Sequence, residues 1–351
     1  MATSPVPGSD RCIGSANECS LTVEAQVVKP DGPWTLDCCN RVQIPVASGT
    51  MPATRPVELG SFTPSVVLEV ARRSGAVDAA GLEVNERLVT SSPAQFRSLL
   101  DGELHLAMTS PDNVLAYRYD PQNPLGELAD ARILAAVDAG LGLGVWLRPG
   151  ATLDDVRGGE VGVDVPGSGF ALALFTILER RGLAIDDYEL ALLGSTPRRV
   201  TALLAGACVA TVLGAGNELV AEAGGATLVA SVAEELAPYL GTVLAVVRDE
   251  HVEVGHDLAG VLLATARAIL SGELRDEAVA AAADRLGLDR PLAERYVANL
   301  AGPGGLVADG RVDPAALRTL VGLRQHWLPR VVDGRDVLDA AGDDPGLVVT
   351  R

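Results

Sequence analysis

The chain has 351 residues and a single lysine, Lys29, near its start. Schiff-base and pyridoxal-phosphate chemistry therefore have no amine nucleophile in the body of the protein. Cysteine is nearly as scarce. Four of the five, Cys12, Cys19, Cys38 and Cys39, precede residue 40, and only Cys208 follows. One thiol in about 300 residues excludes a disulfide framework there. Clustered Lys and Arg are missing, and the net charge is −18, which excludes a nucleic-acid partner and disfavours anionic membrane surfaces. The longest uncharged run, 200–216, contains three glycines and falls short of a membrane span. It reads as helix end, turn and strand, with no membrane insertion. Neither Met1 nor Met51 opens a basic segment followed by an apolar stretch. No secretory signal is legible, and a cytoplasmic location is expected.

What is present is apolar and periodic. Hydrophobic residues make up 48% of the chain, enough for one large core or two medium ones. Residues 1–54 carry Pro, Gly, Ser and Cys without sustained periodicity and are expected to be irregular or disordered, with Met51 as an alternative natural start. Beyond Met51, strand-like stretches such as PVELGSF, LEVNERLV and LHLAMT alternate with helical ones. A helix is expected over 64–75, opening on Pro64. Another is expected over 92–102, with Ser92 as its N-cap and Gly102 as its terminator. From about residue 257 the pattern is helical. Such alternation predicts an α/β fold with mostly parallel sheets.

The chain also repeats itself. Sliding 93–116 onto 197–220 gives six identities in 24 positions: Pro93 with Pro197, Leu99 with Leu203, Leu100 with Leu204, Gly102 with Gly206, Asn113 with Asn217, and Leu115 with Leu219. An offset of 104 is too long for a solenoid and suits two lobes. Asp112 falls opposite Gly216 and His105 opposite Val209, so the first copy is expected to carry the polar chemistry and the second mostly shape.

Four stretches carry a resemblance in their order: GSFTPSVVLEVARRSGAVDAAGLEV, SSPAQFRSLLDGELHLAMTSPDNVLAY, VGVDVPGSGFALALFTILERRGL and RVTALLAGACVATVLGAGNELVAEAGG. Over roughly residues 56–330 the chain resembles type 2 periplasmic binding proteins, in the branch of sulfonate, taurine and thiamine-pyrimidine binders. The resemblance implies two α/β lobes with mixed sheets flanked by helices, joined by two crossing strands, with a ligand held between them. Residues 55–142 plus 246–351 would form lobe one and 143–245 lobe two, with GLGVWLR and GTVLAVVR as the crossings.

Ligands of open α/β sheets gather where strands end and helices begin. Four loops fit that description and give the candidate binding residues: Ser61, Phe62 and Thr63; Thr109, Ser110 and Asn113; Gly167, Ser168 and Gly169; and Gly214, Asn217 and Glu218. The 167–169 loop suits an anionic group, because glycines allow close backbone approach, although Ser168 is equally a helix cap. It lacks the spacing of a dinucleotide fingerprint, and no cofactor is expected. Asp112 is a candidate proton-transfer group or a helix-capping residue, and His105 a second candidate or a structural strand residue. His251 and His256 lie five apart in an expected turn, without zincin spacing, so no metal is expected. Cys208 reads as a buried strand residue.

The partner is a small molecule. The absent signal favours an enzyme, with elimination-type or lyase chemistry on a small, partly anionic metabolite in a closing cleft. Sulfinate desulfinases, thiamine-pyrimidine synthases and menaquinone-pathway dehydratases share the implied fold. The alternative is the periplasmic or extracellular substrate-binding component of an ABC importer for a sulfonate-, taurine- or pyrimidine-like solute, with a permease as its partner. Fold alone does not choose between them.

Overall fold

A computed structural model describes residues 54–332 and 335–351. The expectation for 1–54 and the four N-terminal cysteines fall outside the described residues, apart from Thr54. From Arg55 the chain runs β1 (Arg55–Ser61), α1 (Val66–Arg73), α2 (Ala76–Ala79), β2 (Leu82–Leu88), α3 (Ser92–Leu100), β3 (Leu106–Thr109), α4 (Pro111–Tyr119) and β4 (Arg132–Asp138). Then come β5 (Gly144–Leu147), β6 (Glu160–Val163), α5 (Gly169–Arg180), β7 (Glu189–Leu192), α6 (Thr196–Leu204), β8 (Ala210–Leu213), α7 (Asn217–Ala223), β9 (Thr227–Ser231) and α8 (Val232–Glu235). The last part is β10 (Thr242–Val246), α9 (Val252–Leu270), α10 (Arg275–Leu286), α11 (Arg290–Asn299), α12 (Pro314–Trp327) and a short ribbon of β11 (Val331–Val332) and β12 (Arg335–Asp336).

Two five-stranded mixed sheets result, ordered β2-β1-β3-β10-β4 and β7-β6-β8-β5-β9. In each, four strands run in one direction and one internal strand runs antiparallel to both of its neighbours. That antiparallel strand, β5 or β10, is the one the chain enters on arriving from the other sheet. The passages are 139–143, leading into β5, and 232–241, leading into β10. The repeat is literal: shifting α3 by 104 residues gives the bounds of α6, and shifting β3 gives those of β8.

Local signals shift two helix starts. Ser65 caps α1 by accepting from the Leu68 N–H, so Pro64 lies before the helix rather than inside it. Ser91, in an extended conformation, caps α3 by accepting from the Ala94 N–H, which makes Ser92 the first helical residue. A serine caps only from outside helical φ/ψ, and the residue nearer the strand meets that condition. Gly102, at φ +77°, ends α3 as expected.

The stretch around His251 and His256 is not a turn, because α9 begins at Val252. Gly255 is there for close approach: a Cβ would lie 2.3 Å from Leu134 Cδ1 and 2.9 Å from Leu106 Cδ2, which seats α9 directly on β3 and β4. Gly255→Ala is therefore expected to destabilise the protein by about 1–3 kcal/mol through overpacking. An unchanged urea-unfolding midpoint would refute this.

One apolar cluster runs from Phe96, Val114 and Tyr117 on the first sheet's helices to Leu172, Phe175 and Ile177 on α5. The helix α12 joins this seam. Arg324 pairs with Asp112 of α4, and the Trp327 indole N–H donates to the Thr176 hydroxyl of α5 at 2.8 Å. The C-terminal tail then runs beside β4, with the Val349 N–H donating to the Ile133 carbonyl and the Ile133 N–H to the Leu347 carbonyl.

Candidate functional site

The carboxyl ends of β1, β3, β6, β7 and β8 converge on a cavity of about 140 Å³. From the first sheet it is lined by Ser61, Phe62 and Thr63 after β1 and by Thr109, Ser110 and Asn113 after β3. The second sheet supplies Ser168, Gly169 and Gly214. These are nine of the twelve expected binding residues. The other three lie beside the cavity: the Gly167 carbonyl accepts from Arg324, Asn217 donates to the Gly214 carbonyl, and Glu218 is buried behind the loop.

Neither expected proton-transfer residue lines the cavity. Asp112 is 1% exposed, and its two oxygens accept from Arg324 Nε at 3.0 Å and Nη2 at 3.2 Å. Burial raises its pKa, against the pull of the Arg324 guanidinium and of a hydrogen bond from the Gly169 N–H. Its carboxylate thus occupies the start of α5, the position where the glycine loop was expected to hold a ligand's anion. His105 accepts from the Glu58 N–H through Nδ1 and stacks on His251, with ring centroids 4.3 Å apart. Neither side chain reaches the cavity. Cys208 is buried, and burial pushes its thiol up to about 11, which leaves it protonated and inert at neutral pH.

The group that sequence reasoning missed is Arg199. It lines the cavity from α6, is 2% exposed, and donates only to neutral acceptors: the Val212 carbonyl through Nε, the Gly194 carbonyl through Nη1, and the Thr196 hydroxyl through Nη2 at 3.0 Å. Burial acts against its charge, and Asp164, also on the cavity wall, offsets part of that effect. The 104-residue offset places Arg199 opposite Gln95, which is fully buried and donates to the Met108 carbonyl, the counterpart of Val212. The two side chains sit equivalently in the two lobes, but only the second carries charge. The first copy still brings Thr109, Ser110 and Asn113 to the cavity, while the charge at this pair lies in the second copy. The Gln-for-Arg difference between the two copies is its signal in the sequence.

The start of α6 strengthens that positive corner. Its N-cap, Ser195, makes no side-chain capping bond, and Ser195 and Thr196 both face the cavity. The helix starts on the other walls are already satisfied from within. The Ser65 N–H at α1 donates to the Glu86 carboxylate, Ser110 caps α4, and Ser168 caps α5.

The opposite wall accepts. The Ser61 hydroxyl donates to Glu86 at 2.8 Å, so towards the cavity it offers lone pairs. The Asn113 amide nitrogen is committed to the Thr109 hydroxyl. Asp138, 8% exposed, accepts from the Gly140 and Leu141 N–H groups; burial raises its pKa, opposed by Thr242 and these N–H groups.

No protein-family model matches the chain, and no curated protein matches it. Solved structures do. The alkanesulfonate-binding protein SsuA from Xanthomonas axonopodis pv. citri, bound to MOPS, is 17% identical with a TM-score of 0.65, over 86% of this chain and 99% of that one. The periplasmic nitrate-binding protein NrtA from Synechocystis PCC 6803 is 15% identical at a TM-score of 0.63, covering 85% and 86%. The Candida albicans CA3427 gene product, described as having the generic periplasmic binding protein fold, is 14% identical at 0.61, covering 84% and 96%. Identities this low speak to architecture, and with the two mixed sheets and their double crossing they establish that the chain has the type 2 periplasmic-binding-protein fold.

Proposed function

We propose that the protein captures a small organic anion in the cavity between its sheets and serves as the solute-binding component of an ABC-type importer. The observation that carries this reading is Arg199, a buried guanidinium on the cavity wall with only neutral hydrogen-bond partners. Asp164 offsets the cost of that buried charge only in part, and an anion arriving in the cavity relieves the rest. The open start of α6 adds N–H groups beside it. The accepting wall of Ser61, Asp138 and Asn113 favours a ligand whose far end donates hydrogen bonds. The binding residues proposed are Ser61, Phe62, Thr63, Thr109, Ser110, Asn113, Asp164, Ser168, Gly169, Ser195, Thr196, Arg199 and Gly214.

Neighbours that bind an alkanesulfonate and nitrate support the anion, and the ligand-binding component of an ABC-type import system from Staphylococcus aureus, at a TM-score of 0.60, supports the importer. Under this reading the protein works outside the cytoplasmic membrane with a permease as partner, in place of the cytoplasmic location expected from the sequence. Elimination chemistry loses support, because Asp112 and His105 are held away from the cavity.

Titration calorimetry with taurine, methanesulfonate, nitrate and glucose tests the reading. The expected order is taurine ahead of methanesulfonate ahead of nitrate, with no heat from glucose. Binding of glucose but of none of the anions would overturn it.

A further inference from the structure

We propose that Glu218 makes closure of the ligand cleft depend on pH, holding the lobes together when protonated and loosening them when ionised. This rests on the binding reading above and concerns the regulation of that same cavity. Glu218 is 4% exposed; one carboxyl oxygen accepts from the Gly216 N–H at 2.8 Å and the other, Oε1, has no hydrogen-bond partner. The first passage between the sheets lies against that oxygen. Gly142, at φ +62°, comes so close that a Cβ there would be 2.2 Å from Oε1.

The same loop touches lobe one on its other side. A Cβ on Gly216 would lie 2.8 Å from Leu286 of α10 and 3.2 Å from the Tyr296 ring of α11. Glu218 therefore sits where the second sheet's loop, the interlobe passage and two helices of the first sheet meet. Its neighbours connect it to the ligand site. The Ala215 N–H donates to the Leu141 carbonyl, and Gly214, Ala215, Gly140 and Leu141 all line the cavity.

The charges around Glu218 do not neutralise it. Glu222 lies one turn further along α7, and Arg295 of α11 is paired with Glu222 at 2.6 Å. Tyr296 of α11 carries a hydroxyl whose own pKa burial raises. The passage 139–143 carries no titratable side chain, Asp138 at the end of β4 is committed to the Gly140 and Leu141 N–H groups, and α10 presents the uncharged Leu286. Burial accordingly pushes the Glu218 carboxyl up to about 7. Above that value an ionised carboxylate has a dry oxygen, and water reaches it only when the loop and the passage part. Closure is therefore strongest where the carboxyl is protonated in both the open and the closed form, and it weakens as pH rises through about 7.

The test begins with the ligand-free protein. Amide hydrogen exchange at 140–143 and 214–219, corrected for the intrinsic pH dependence, is expected to speed up with a midpoint near pH 7. In Glu218→Gln, which cannot ionise, that step should vanish. Taurine affinity should fall about tenfold from pH 6 to pH 8 in the native protein and stay flat in Glu218→Gln. Exchange without a step in the native protein, or an identical step in both proteins, would overturn the proposal. If taurine fails to bind, the ligand reading falls and the exchange step still decides this one. If Glu218→Gln fails to fold, the native exchange profile alone decides.

Discussion

Arg199→Gln is expected to weaken ligand binding by about a hundredfold or more, roughly 3 kcal/mol, while the protein stays folded. The substitution copies the first lobe, where Gln95 already occupies the equivalent place on α3 and reaches the equivalent strand carbonyl. The Val212 carbonyl keeps a donor, and the cavity loses its only buried guanidinium among the described residues that line it. Because burial works against the Arg199 charge, the ligand-free variant should unfold at the same denaturant concentration or a higher one. Calorimetry and urea unfolding on the same preparation separate the two effects. Loss of affinity together with a lower unfolding midpoint would make Arg199 a structural residue. Unchanged affinity would remove it from the ligand site.

Asp112→Ala is expected to cost about 3–5 kcal/mol of stability. Arg324 would be left 5% exposed with the Gly167 carbonyl as its remaining partner, and the Gly169 N–H would lose its acceptor. A buried ion pair gains little over a well-packed apolar pair, but removing one partner strands the other charge. Asp112→Leu combined with Arg324→Met should therefore recover most of the loss, which distinguishes desolvation from simple loss of side-chain volume. Denaturant unfolding measures both. A single variant as stable as the native protein would show that α12 does not depend on this pair. Since Asp112 lies outside the cavity, ligand affinity in the folded fraction should change far less than in Arg199→Gln.

Much of the fold was legible in the chain. Its alternating strands and helices, its glycine helix ends and its 104-residue echo carry local information, and the repeat reproduced the bounds of α3 and β3 in α6 and β8. Nine of the twelve binding residues expected from loop position line the cavity for the same reason. Helix caps moved by a residue because two adjacent polar residues competed for one role, as at Ser91 and Ser92. The turn expected around His251 and His256 is the start of α9, where Gly255 admits the side chains of Leu134 and Leu106.

The roles of charged residues followed the opposite course. Asp112 sits where a cleft residue should be, at the end of a strand and the start of a helix, yet Arg324, 212 residues away, claims it. Arg199 lies in the first turn of α6, outside the four loops singled out in the sequence, yet its guanidinium reaches the cavity wall. Sequence alone determined the architecture, because periodicity, caps and breakers act over a few residues. It also determined the scarcity of lysine and cysteine and hence the chemistries excluded. Tertiary structure alone decided which carboxylates were already paired, which guanidinium had only neutral hydrogen-bond partners, and which glutamate was shut behind Gly142. Electrostatic roles depend on burial and on partners brought together from distant parts of the chain, and neither is written in local sequence.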